Sequence, residues 1–83
     1  MTARLLMKFK VLDTIVFNRD LPESGLKKGD LGAVVHVYKP DGLEVEFVTA
    51  AGKTEALVTL KIRDVRHVVD RDLIAVRPLR KSA

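Results

Sequence analysis

His36 and His67 are the only imidazoles in this 83-residue chain, and it contains no cysteine. Acid–base catalysis needs a histidine or carboxylate within hydrogen-bond reach of a nucleophile, with a third group to orient it. His36 stands between Val35 and Val37, and His67 stands beside Val68. In such apolar strand-like runs an imidazole reads as a structural or surface residue. A zinc site would need a third ligand, and no carboxylate is spaced around the two histidines to supply one. The lack of thiols excludes disulfides, thiolate metal sites and cysteine nucleophiles. Glu44 and Glu46 share one face of a strand, about 7 Å apart by strand rise. That suits paired acid–base chemistry, but the sequence implies no pocket around them. With Glu55 on the neighbouring strand and Lys53 or Lys61 as partners, they read as a solvated face. Together the three glutamates form an acidic stripe, which would repel a phosphate backbone. No catalytic residue, cofactor or metal is expected, and the chain is not expected to be an enzyme.

Two kinds of partner chemistry remain. For a protein partner the candidates are Leu21 and Leu26 in a long loop, Leu57 on a strand, and Leu73, Ile74 and Val76 near the C-terminus. Exposed apolar clusters of this kind mark contact surfaces. For nucleic acid the candidates are Lys27, Lys28, Lys39, Arg77, Arg80 and Lys81, with Tyr38 as the stacking platform. The net charge of +4 lies at the two ends: residues 1–12 carry +3, residues 70–83 carry +2, and the body between them is −1. Proline-rich peptide recognition is not expected, since aromatic residues make up 5% of the chain and tryptophan is absent.

The elements that must position these residues read as all-β. Val11 to Phe17 has the β-branched and aromatic content of a first strand. A loop of about a dozen residues follows through Asp30, long enough in a compact domain to suggest function. Leu21 and Leu26 are expected to fold it back onto the body. Ala33 to Lys39 forms a second strand, apolar on both faces, as a bent strand shared between two sheets would be. Lys39-Pro40-Asp41-Gly42 is a tight turn, with proline presetting φ and glycine accepting a positive φ. Leu43 to Thr49 alternates cleanly, with Leu43, Val45 and Phe47 inward and Glu44 and Glu46 outward. A turn at Ala50-Ala51-Gly52-Lys53 leads to a fourth strand, Thr54 to Leu60, where Leu57 breaks the alternation as a half-exposed apolar residue. Lys61 to Asp64 makes one 3₁₀ turn before a short fifth strand, Val65 to Val69. Five short strands with these connections predict a small five-stranded SH3-like barrel with a C-terminal extension. The divisions are residues 1–9 as an N-terminal extension, 10–69 as the barrel and 70–83 as a basic, apolar tail. The tail is expected to form a sixth strand, an arm or a short helix. Glycines at 29 and 32 read as the marks of a tight turn before the second strand.

Several stretches together carry a resemblance. They are Leu12-Asp13, Arg19-Asp20-Leu21-Pro22-Glu23, the run Gly25-Leu26-Lys27-Lys28-Gly29-Asp30-Leu31-Gly32, Glu44-Val45-Glu46-Phe47, Leu57-Val58-Thr59-Leu60 and Asp64-Val65-Arg66. In this order and spacing, residues 10–69 resemble the small bacterial proteins of domain-of-unknown-function family 4926. The resemblance implies an SH3-like barrel and no established activity. It also implies a partner encoded by a neighbouring gene, in an antitoxin-like or immunity-like pairing. The segment Gly29-Asp30-Leu31-Gly32-Ala33-Val34 is similar to the glycine-containing entry of KOW-type barrels, which contact RNA.

The expected function is a non-enzymatic interaction module for a protein partner, acting as a monomer or as a homodimer through the tail. The alternatives are a KOW-like RNA- or DNA-binding barrel and an accessory subunit of an enzyme complex. The sequence carries no signal h-region and no apolar run of transmembrane length, so a cytoplasmic location is expected. Met7 is a candidate alternative start.

Overall fold

The computed structural model describes residues 9–79. It is an all-β domain of five antiparallel strands: β1 (Thr14–Phe17), β2 (Leu31–Tyr38), β3 (Gly42–Val48), β4 (Thr54–Lys61) and β5 (Val65–His67). Two 3₁₀ turns, Pro22–Ser24 and Ile62–Asp64, complete the regular structure. The strands form one sheet in the order β4-β3-β2-β1-β5. A three-strand meander, a long loop after the first strand and a 3₁₀ turn before the last are the SH3-like arrangement.

Alternation builds the core. Ile15 and Phe17, Val34, Leu43, Val45 and Phe47, Leu60 and Val65 turn inward and are buried. Each contributes roughly 1.5–3 kcal/mol relative to exposure. Phe17 and Phe47 meet with ring centroids 5.8 Å apart and planes tilted by 59°. Phe9, assigned by sequence to an N-terminal extension, packs against this core and lies 4.2 Å from the His67 ring.

The second strand is divided between neighbours. Leu31–Ala33 pairs with β1, and Ala33–Tyr38 pairs with β3, with a register shift between Val34 and His36. This irregularity lets one strand turn from one half of the sheet into the other. The bend agrees with the sequence reading, but burial on both faces does not extend to its end, where Val37 is exposed. The first strand is shorter than the predicted Val11 to Phe17. Lys10 to Asp13 is a turn, in which the Lys10 N–H donates to Asp13 Oδ2 at 2.8 Å and the Asp13 N–H to the Lys10 carbonyl. Leu12 within it has φ of 81°.

Gly32 also differs from its predicted role. Gly29, with φ of 98°, does make the turn. Gly32 instead lies inside β2, where an added Cβ would sit 2.6 Å from Val45 Cγ1 and 2.9 Å from Phe47 Cε2. It is small because the core passes directly against its backbone.

Candidate interaction surface

The long loop is ordered from within. Leu21 and Leu26 form a backbone bridge. Leu26 is buried in the core with Leu21 packed against it, so both hold the loop down as expected. Leu26 is therefore a core residue, with little surface to offer a partner. The Lys28 N–H donates to Asp20 Oδ1 at 2.8 Å, and the Lys27 N–H to Asp30 Oδ2 at 2.8 Å. Arg19 Nε donates to Asp64 Oδ1 at 3.0 Å, tying the start of the loop to the second 3₁₀ turn.

The tail is neither strand nor helix. After β5 the chain turns at Val69–Asp72, where the Asp72 N–H donates to the Val69 carbonyl at 2.9 Å. The Val69 N–H donates in return to Asp72 Oδ2 at 2.8 Å. Arg66 then grips Asp72 with both guanidinium nitrogens, Nη1 at 2.9 Å and Nη2 at 2.8 Å. Five residues on, Arg77 grips Asp30 in the same way, Nε at 2.8 Å and Nη2 at 2.7 Å. Its Nη2 also donates to the Gly25 carbonyl. Such two-point pairs fix direction as well as distance. Leu73–Val76 is thus a strap held between two Arg–Asp clamps. It crosses the outer face of the sheet near Val16, Leu31 and Arg66.

The charges are tuned accordingly. The hydrogen bond from Arg66 holds the Asp72 carboxyl down at about 2. Partial burial pushes the Asp30 carboxyl upward, but the hydrogen bonds from Arg77 and the Lys27 N–H outweigh it and leave the group below the usual range. Asp64 behaves likewise, with Arg19 and the Lys61 N–H overcoming its desolvation.

On the strap, Leu73 and Val76 are each 94% exposed, and Ile74 is exposed as well. Between the strap, the base of the long loop and the β3–β4 turn runs an open groove of about 420 Å³. It is lined by Leu31, Phe47, Val48, Ala75 and Leu79 among others. Leu57, on β4, is 57% exposed. The structure therefore sets Leu73, Ile74 and Val76 along one exposed segment, places Leu57 on β4 and removes Leu26 to the core.

The nucleic-acid candidates are not gathered. Lys27 and Lys28 precede β2, whereas Tyr38 and Lys39 lie at its far end, roughly 23 Å away by strand rise. The Tyr38 hydroxyl donates to Glu44 Oε1 at 2.7 Å, which raises the pKa of the phenol. Arg77 is committed to Asp30. Arg80 and Lys81 lie outside the described residues.

The glutamate stripe is bonded differently from expectation. Glu44 takes Tyr38, Glu46 accepts from the Thr54 hydroxyl, and Lys61 pairs with Asp41 rather than with a glutamate. His36 is exposed and packs its ring 4.5 Å from Tyr38. His67 Nε2 is buried without a hydrogen bond and lies 3.6 Å from Asp13 Oδ2. Among the described residues no group of three or more potential ligands gathers as a metal site, and no helix is long and apolar enough to cross a membrane.

Sequence reasoning missed the anchoring aspartates. Asp13, Asp30, Asp64 and Asp72 each accept the backbone N–H of the residue three before. The signal was available as Lys-x-x-Asp at 10–13, 27–30 and 61–64, the spacing with which an Asp closes a turn.

Comparison with known proteins gives one match. The family model described as Domain of unknown function (DUF4926) covers residues 11–67, which end where β5 ends and leave the strap outside. None of the curated proteins and none of the solved structures compared with the chain matches it.

Proposed function

Taking as premise that this chain belongs to the family described as Domain of unknown function (DUF4926), we propose that it is a non-enzymatic module that binds a protein partner through the strap. The observation that carries this reading is the exposure of Leu73 and Val76, 94% each, on a segment clamped at both ends. Burying such side chains against a partner is favourable by roughly 1.5–3 kcal/mol each. The clamps reduce the ordering cost that a free tail would pay on binding. The neighbouring groove adds Val48 and Leu79 beside Val76.

The test is an affinity capture from nuclease-treated lysate, comparing the wild-type chain with L73S/V76S. One stoichiometric protein held by the wild type and lost from the variant supports the proposal. Equal capture by both overturns the strap as the site. Loss of every bound component on nuclease treatment, with affinity falling steeply as salt rises, overturns the protein-partner reading in favour of nucleic acid.

A further inference from the structure

We propose that the face beneath the strap is a docking site for an extended peptide segment of another protein, one carrying an arginine and an apolar side chain two residues on, and that the strap is its resident, displaceable occupant. The strap is gripped at few of its own residues. Leu73 to Val76 and Pro78 are exposed, and only Arg77 and Leu79 are half-buried. The residue before a proline favours extended backbone, and in an extended chain side chains two apart turn to one side. Arg77 reaches Asp30 and the Gly25 carbonyl with three hydrogen bonds, and Leu79 lines the groove with Phe47 and Val48. Among the described residues the backbone of 73–79 makes no backbone–backbone hydrogen bond to the sheet. The strap is therefore recognised by side chains at two positions, and its opening breaks no strand pairing.

The seat is built without the strap. Asp30 is placed by the turn it closes, where it accepts the Lys27 N–H, and Gly25 by the end of the first 3₁₀ turn. A carboxylate beside a carbonyl offers acceptors only, in a spacing that suits the planar fork of a guanidinium better than an ammonium. Apart from Arg77, the ionised groups lining the groove are Asp30 and Glu55, so a vacated seat is negative and complementary to a cation. Val16 lies between the inward Ile15 and Phe17 and so faces outward, yet it is only 7% exposed, and Leu73, Ile74 and Ala75 lie over it. An outward apolar residue of this kind marks a face that is covered by another segment. The family match, residues 11–67, contains Gly25, Asp30, Phe47 and Val48 but neither Arg77 nor Leu79. The seat thus lies within the matched domain and its occupant outside it. This site is the inner side of the strap's contact, so it does not rest on partner binding by the outward Leu73 and Val76.

NMR titration of full-length R77A with the acetylated, amidated peptide of residues 73–79, up to about 1 mM, tests it. The peptide is expected to bind and to shift the amides of Gly25, Lys27 and Asp30. The wild type is expected to bind it more weakly by about five-fold or more, because its own tethered strap competes at a millimolar effective concentration. Peptides carrying R77K or L79A are expected to bind the R77A chain about five-fold more weakly than the parent peptide. The variant D30N/R77A keeps an oxygen for the Lys27 N–H but loses the charge, and is expected to lose the peptide. The peptide comparisons use one protein, so they decide the matter even if D30N/R77A fails to fold. No binding to R77A at the highest concentration overturns the proposal. So do equal binding by wild type and R77A, an R77K peptide that binds as well as its parent, and shifts confined to residues outside the seat.

Discussion

Arg77 closes a two-point hydrogen bond on Asp30 across 47 residues of sequence, with Nε at 2.8 Å and Nη2 at 2.7 Å. Asp30 simultaneously accepts the Lys27 N–H. One carboxylate therefore closes the turn that enters β2 and anchors the strap. The two roles separate on mutation. R77A is expected to free residues 73–79 while lowering domain stability by no more than about 1 kcal/mol, as for a partly exposed pair. D30A loses the turn as well and is expected to cost about 1–3 kcal/mol. Hydrogen exchange of the strap together with urea unfolding separates the outcomes, and equal stability losses in both variants would contradict the dual role. R77K is expected to behave like R77A, since an ammonium offers no planar fork.

Acid is expected to release the strap. Asp72 is held at about 2, below its ordinary 3.8, chiefly by Arg66, and Asp30 is lowered by Arg77 despite its burial. A carboxyl whose folded pKa lies below its unfolded one contributes stability that is complete above the unfolded value and lost as pH falls through the folded one. The contribution of Asp72 is therefore present above about pH 4 and disappears toward about pH 2. The amide proton of Val69 donates to this carboxylate, so its NMR shift should titrate with a midpoint near 2. A midpoint near 4 would show that the Arg66 clamp is open in solution.

G32A is expected to destabilise the domain by about 1–3 kcal/mol, the range for overpacking a filled core. The new methyl group would meet Val45 Cγ1 and Phe47 Cε2, both on core side chains. The variant V45A/G32A, which trims the wall the new methyl strikes, should lose less stability than the sum of the two single losses if the contact is real, because neighbouring sites couple. Thermal unfolding of the two single variants and the double gives the comparison.

Much of the fold was legible because its signals are local. Pro40 and Asp41 mark their turn whatever surrounds them, although Gly42 does not take the positive φ expected of it and instead opens β3, and the alternation of Leu43, Val45 and Phe47 against Glu44 and Glu46 declares a half-buried strand. Leu21 and Leu26 stand out as apolar residues in an otherwise polar loop. The predicted start of the first strand at Val11 was too early because the β-branched pattern does not reveal that Asp13 bonds back to Lys10. Gly32 reads as a turn residue because, in sequence, a glycine needed for space looks like one needed for a positive φ.

The candidate surface was only half legible. That Leu73, Ile74 and Val76 are apolar beyond the last strand could be read directly, and the structure leaves all three exposed. Their being held as a strap could not be read. Fifteen basic and eleven acidic residues offer many possible pairings, and nothing local singles out Arg66 with Asp72 or Arg77 with Asp30.

By itself the sequence determined the all-β class, the position of the turns and the inward faces of the third and fourth strands, because backbone preference and two-residue periodicity act over a few neighbouring positions. The tertiary structure alone decided the path of residues 70–79 and which strand edge was left open. Both depend on contacts between residues distant in the chain, and those exist only once the sheet has brought Asp30 within reach of Arg77.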